Sequence, residues 1–384
     1  YFVLSNDPPI YFSRWPVTPV YDRVAANVAA LIEDGSCISF SIGPLYEALG
    51  GHLSKKKNLG VHSPLITDAL MDLINSGAVT NREKEIYRGK SLASYALGTP
   101  ELMTWLDQNP LVEFQGIDKV FDPAQIGRNP QFTAIIHARR VDLSGRIALQ
   151  IGKGNVATGP AEVMDLVNGA EISTGGRTIF ALPSRNKNGR PNILLFVGRY
   201  ENQFRLHESV DMIVTEYGVA CLQGYTMRER AQALIELAHP DDRPNLIEQA
   251  KREKIIYADQ IFIPESAHLY PGKIHNEQTF KGGLKVSFRP IKPSDEEAMR
   301  RFFYRFSDQT VYYRIFYRFS TMPHDKMQAY VNVDYTREMA LVALVGDSEN
   351  EEIIAEARYS ADDENRIGDV AFMVDEGYQG LGLA

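Results

Sequence analysis

The run Gln379-Gly380-Leu381-Gly382-Leu383-Ala384 has the residue types of an anion cradle. Just before it, the apolar alternation of Gly368–Val374 reads as a strand. A strand, a glycine turn and a helix N-terminus together hold a pyrophosphate, because glycines let the backbone approach and unpaired N–H groups point at the phosphates. The run ends where that helix is expected, and the chain opens on Tyr1 rather than Met, so the expectation is of a piece of a longer polypeptide. Other chemistry-bearing residues are scattered. Glu162 and Glu216 are acids in otherwise apolar surroundings, and His62 and His239 read as structural imidazoles. Gly152-Lys153-Gly154-Asn155 is a turn that could meet a phosphate, and Arg185 faces either a cleft or solvent.

The elements that must position these residues fall into two regions of the 384-residue chain. Residues 1–265 alternate helical stripes with short apolar runs. Thr18–Ile32, Asp68–Ile74, Glu162–Asn168 and Met227–Leu237 fit helices. Ser36–Ile42, Thr133–Arg140, Arg146–Ile151, Thr178–Leu182 and Met212–Thr215 fit buried strands. That alternation predicts an α/β unit with a largely parallel sheet. Residues 266–283, rich in His, Pro and Gly, read as a linker. Residues 284–384 open with Leu284–Ile291, which alternates like an edge strand. A helix start follows at Pro293-Ser294-Asp295, then further helical stretches, then strands at Met339–Val345 and Ile353–Tyr359.

Composition narrows the classes. The net charge of −8 argues against non-specific nucleic-acid binding, and Lys55-Lys56-Lys57 reads as a solvated loop. No apolar run is long enough to span a bilayer and no signal peptide is evident, so a cytoplasmic protein is expected. Two cysteines, Cys37 and Cys221, form neither a disulfide framework nor a metal cluster, and no metal is expected.

The order of elements in 284–384, the segment Val333–Ala343 and the pattern Gln379, Gly382, Ala384 resemble the GNAT acyltransferases, in particular the GNAT module of bacterial protein lysine acetyltransferases. The resemblance implies an α+β fold, present in part, with acyl-CoA as co-substrate and an amine or protein lysine as acceptor. It places Gln379, Gly380, Leu381, Gly382, Leu383 and Ala384 on the pyrophosphate and the backbone of Phe372, Met373 and Val374 along the pantetheine arm. It matches Asp369 to the general base, with Glu338 and Glu356 in reserve.

A second resemblance covers most of residues 10–260. Leu59-Gly60-Val61-His62-Ser63, Gly175-Gly176-Arg177 with Ala181-Leu182-Pro183-Ser184, Val210–Ala220 and Met227–Ala231 with Ala238–Asp241 are similar to the acetyl-CoA hydrolase/transferase family, which includes acetate and 4-hydroxybutyrate CoA-transferases. It corresponds to the C-terminal half of such an enzyme. The family's nucleophile is a glutamate, and the matching position here is Pro64. Ala161, Glu162 and Val163 replace the family's Gly-Gly-Gln element. The leading expectation is therefore an acetyl-CoA-dependent N-acyltransferase with a degenerate CoA-transferase-like domain. The alternatives are an acetyl-CoA hydrolase/CoA-transferase with a modified site, and a non-catalytic acyl-CoA-binding protein. Homo-oligomerisation is left open.

Overall fold

Strands that are covered on both faces must be apolar throughout, and the first region follows that rule. In the computed structural model the strands Met212–Thr215 and Arg177–Ala181 are buried almost end to end, as is Phe132–His137. The structure describes residues 10–149, 163–198, 203–204, 209–260, 262, 271, 274–307, 322–333, 335, 338–346, 351–362 and 367–383. Two compact units divide at Ile247/Glu248, ahead of the boundary near 265 expected from composition.

The first unit is an α/β layer structure built on a six-stranded sheet. Its strands lie in the order Gly218–Cys221, Met212–Thr215, Arg177–Ala181, Phe132–His137, Cys37–Ile38, Gly60–Val61. All neighbours are parallel except the hairpin Met212–Thr215/Gly218–Cys221. Helices cover it, and their starts are written locally. Thr18 caps Pro19–Ala30, which presents Val24, Ala25, Val28 and Ala29 to the core. Thr67 caps Asp68–Asn75. Thr226 and Glu229 form a reciprocal capping box that opens Met227–Leu237. The helix Val163–Ile172 lies against the Phe132–His137 and Arg177–Ala181 strands.

The second unit is α+β. Five strands, Asn276–Thr279, Lys285–Pro290, Glu338–Val345, Glu352–Asp362 and Ile367–Val374, form a meander that is antiparallel throughout. The helices Glu296–Tyr304 and His324–Val331 close one face over Met299, Phe302, Met327, Val331, Val342 and Leu344. One expectation is corrected here. The Lys285–Pro290 strand is an inner strand, because Asn276–Thr279, inside the expected linker, pairs outside it. Among the described residues, no helix is long and apolar enough to cross a membrane.

Candidate active site

The candidate residues of the second unit do not gather into one centre. The turn after Ile367–Val374 is shaped by Gly380 (φ 76°) and Gly382 (φ 93°), conformations open to glycine at no steric cost. Gln379 donates through Nε2 to Val374 O at 3.1 Å, and Leu383 packs beneath the sheet with Val374 and Tyr378. Ala384 lies outside the described residues. Met373 is buried, whereas Phe372 is exposed. Asp369 is exposed, opposite Ser360, and stands five residues before Val374, about 17 Å away by strand rise. Glu356 is buried and committed: it accepts from Tyr330 OH at 2.9 Å and from Arg358 Nε at 3.0 Å. Glu338 pairs with the same arginine at 3.6 Å. Arg358 also lies over the Tyr330 ring at 4.0 Å, so both reserve acids belong to one structural ion-pair cluster.

The first unit does build a site. Its parallel strands end on a cleft of about 1300 Å³, the place where open α/β sheets bind ligands. Pro64 lines it, on a segment held rigidly from several sides. Ser63 Oγ accepts from Phe40 N at 3.0 Å and donates toward Phe40 O and Leu65 O. Ser94 N donates to Pro64 O at 3.0 Å. His62 is fully buried between Val120 O, 2.8 Å from Nε2, and the Asn129 amide, 3.1 Å from Nδ1. Burial, with a smaller push from Lys84, takes its pKa down to about 4 despite the Val120 bond, so it is a neutral structural histidine.

Other sequence candidates resolve in the same way. Glu216 accepts from Ser184 N at 2.8 Å and from Ser184 Oγ at 2.6 Å, tying the ends of two neighbouring strands. His239 accepts from Asp241 N at 3.3 Å and stacks edge-on to Tyr217. Arg185 lines the cleft but is held by Asp242 and Asp241. Glu162 and the Gly152–Asn155 turn lie outside the described residues.

Sequence reading missed the residues that give the cleft its character. Phe132–His137 ends on His137, followed by Arg139 and Arg140, and all three line the cleft with Lys187 and Arg190. Tyr21, in the first turn of Pro19–Ala30, sets its hydroxyl 3.5 Å from His137 Nε2, with the rings edge to face at 5.7 Å. Burial, then the Arg139 charge, lowers the His137 pKa to about 4, and burial raises that of Tyr21. No Asp or Glu lines the cleft among the described residues. The available signal was a histidine at a strand end followed by paired arginines. Among the described residues, no three His, Cys, Asp or Glu side chains converge as a metal site requires.

Fold and site together define an α/β unit with a cationic cleft at the carboxyl ends of a parallel sheet. Residues 98–250 of the chain match the acetyl-CoA hydrolase/transferase C-terminal domain. The chain is 36% identical over 256 residues to 4-hydroxybutyrate coenzyme A transferase of Clostridium kluyveri, covering 66% of this chain and 59% of that protein. The crystal structure of RipA from Yersinia pestis superposes with a TM-score of 0.60 at 31% identity, over 66% of this chain and 56% of that one. The chain thus spans less than two thirds of the relatives it matches. Over 109 residues, 28% of this chain and 59% of the other, it is also 29% identical to an acetyltransferase of Pseudomonas aeruginosa. These findings correct the leading expectation. The longer and stronger likenesses are to CoA-transferases, so N-acyl transfer is not the main reading of this chain.

Proposed function

We propose that the first unit binds an acyl-CoA in the cleft and acts on its thioester, as an acetyl-CoA hydrolase/CoA-transferase type of enzyme with a modified site. The carrying observation is the charge of the cleft. Arg139, Arg140, Lys187 and Arg190 line it with no described acid, in a chain of net charge −8. Such a local reversal of sign selects a polyanion, and arginines suit phosphate oxygens. The likeness of residues 98–250 to the acetyl-CoA hydrolase/transferase C-terminal domain supports coenzyme A as that polyanion. Residues 284–384 are read as the front part of a GNAT-type fold, an assignment of architecture and not of activity.

Isothermal titration with acetyl-CoA tests the reading, together with thiol release measured with and without a carboxylate acceptor. Arg139→Glu with Arg140→Glu is expected to weaken binding at least about tenfold and to flatten its salt dependence. Unchanged affinity in that variant refutes the assignment.

A further inference from the structure

The cleft poses a chemical problem. Thioester cleavage needs a nucleophile and a proton acceptor, and Pro64 supplies neither. The other lining groups are arginines, a lysine, amides, hydroxyls and apolar side chains, and among the described residues only one lining side chain is an uncharged ring base at neutral pH. We propose that His137 is that acceptor, acting as general base for direct attack of water on the bound thioester, with Tyr21 as its positioning residue. This rests on the acyl-CoA reading of the same cleft.

Three observations place it. His137 is the last residue of a strand in the middle of the sheet, and it pairs with Ala181 of the neighbouring strand, which fixes its backbone. Tyr21 stands at 3.5 Å on a helix turn capped by Thr18. With the ring proton on Nε2, that N–H donates to the tyrosine oxygen and Nδ1 keeps its lone pair. No described residue donates to Nδ1, and in the proposed step the attacking water is seated there. Arg139, two residues on, is placed to meet the ligand's negative charge. Its charge disfavours protonation of His137, and a bound anion offsets that charge, so substrate binding makes the imidazole a stronger base.

In the step itself, the water oxygen bonds to the thioester carbonyl carbon while one water proton passes to Nδ1. The carbonyl π pair moves onto oxygen and returns as the C–S bond breaks. The leaving sulfur takes the proton back from the imidazolium. The products are a carboxylic acid and free coenzyme A, with no change of oxidation state and no covalent enzyme intermediate.

The test uses the full chain with acetyl-CoA in ¹⁸O-water. Thiol release without any carboxylate acceptor is expected, with ¹⁸O in the acetate and none in protein carboxylates. His137→Gln should lower kcat by about 10²–10⁴-fold and abolish the rise of rate with pH, with acetyl-CoA affinity within about threefold of wild type. Tyr21→Phe should shift that pH limb with a smaller loss, which a merely structural role would not do, and guards against misfolding of the histidine variant. Wild-type rates in a folded His137→Gln protein, or ¹⁸O accumulating in a glutamate such as Glu162, overturn the proposal. Binding without thiol release overturns it alone, whereas no binding at all also overturns the acyl-CoA reading.

Discussion

Lys84 offers a quantitative test of the first unit's interior. Its ammonium is buried, donating to Val61 O at 2.7 Å and Lys90 O at 2.9 Å, and it makes no ion pair among the described residues. Burial pushes its pKa from 10.5 down to about 8, against a small opposing pull from Cys37. The unfolded lysine stays charged up to pH 10, so between these values the unfolded state holds more protons and stability rises with pH. From pH 7 to 9 the folded group sheds most of its proton, about one decade in the equilibrium, or about 1.4 kcal/mol. Cys37 works oppositely, since burial raises its thiol to about 11 and the unfolded thiol ionises from about pH 8, but wild type and variant share that contribution. Lys84→Met removes the titration. Urea unfolding followed by tryptophan fluorescence reads this unit alone, because Trp15 and Trp105 are the chain's two tryptophans and both lie in it. Wild type should gain about 1.4 kcal/mol over the variant between pH 7 and 9. A gap between the two proteins that stays constant with pH refutes the reasoning, whatever its size.

The remaining predictions concern packing and buried charge. A Cβ on Gly98 would sit 2.3 Å from Asp68 Oδ2 and 2.6 Å from Leu102 Cδ2, so Gly98→Ala should destabilise the first unit by about 2 kcal/mol in the same urea assay. Buried Glu296 takes Arg300 and His324 Nδ1, each at 2.5 Å. Glu296→Gln should cost about 3 kcal/mol, seen as faster hydrogen exchange across the two helices they join. Burial alone would raise the Asp295 pKa, but the Arg289 guanidinium at 2.7 Å holds it below the ordinary value. A depressed folded pKa gives stability that is complete above the unfolded value and lost as pH falls. Arg289→Ala should therefore unfold the second unit at a higher pH in an acid titration followed by circular dichroism.

Where local signals are complete, the sequence reading and the structure coincide. Met227–Leu237 has its capping box and Met212–Thr215 its apolar run, and both carry the bounds expected of them. The stretch expected as a strand over Ser36–Ile42 pairs only at Cys37–Ile38, because Ser63 Oγ takes the N–H and carbonyl of Phe40 that a longer ladder would use. Asn276–Thr279 escaped notice because all four residues are exposed, so no apolar alternation marks them. The site was harder to read than the fold. Tyr21 and His137 are 116 positions apart, and only the parallel sheet brings a helix start to a strand end.

The consequence of proline at position 64 is electrostatic as well as chemical. A carboxylate there would line the same cleft as the arginines, lowering the potential they present to the proposed acyl-CoA. Without it the cleft is a better anion trap and a poorer covalent catalyst. Tight binding and turnover thus separate on one group. If His137 accepts the proton, the cleft hydrolyses what it holds. If it does not, the same arginines hold an intact thioester, and the protein is an acyl-CoA-binding unit with a long residence time. Measuring the dissociation rate of acetyl-CoA against the rate of thiol release on one sample distinguishes these outcomes, since release faster than dissociation requires chemistry in the cleft.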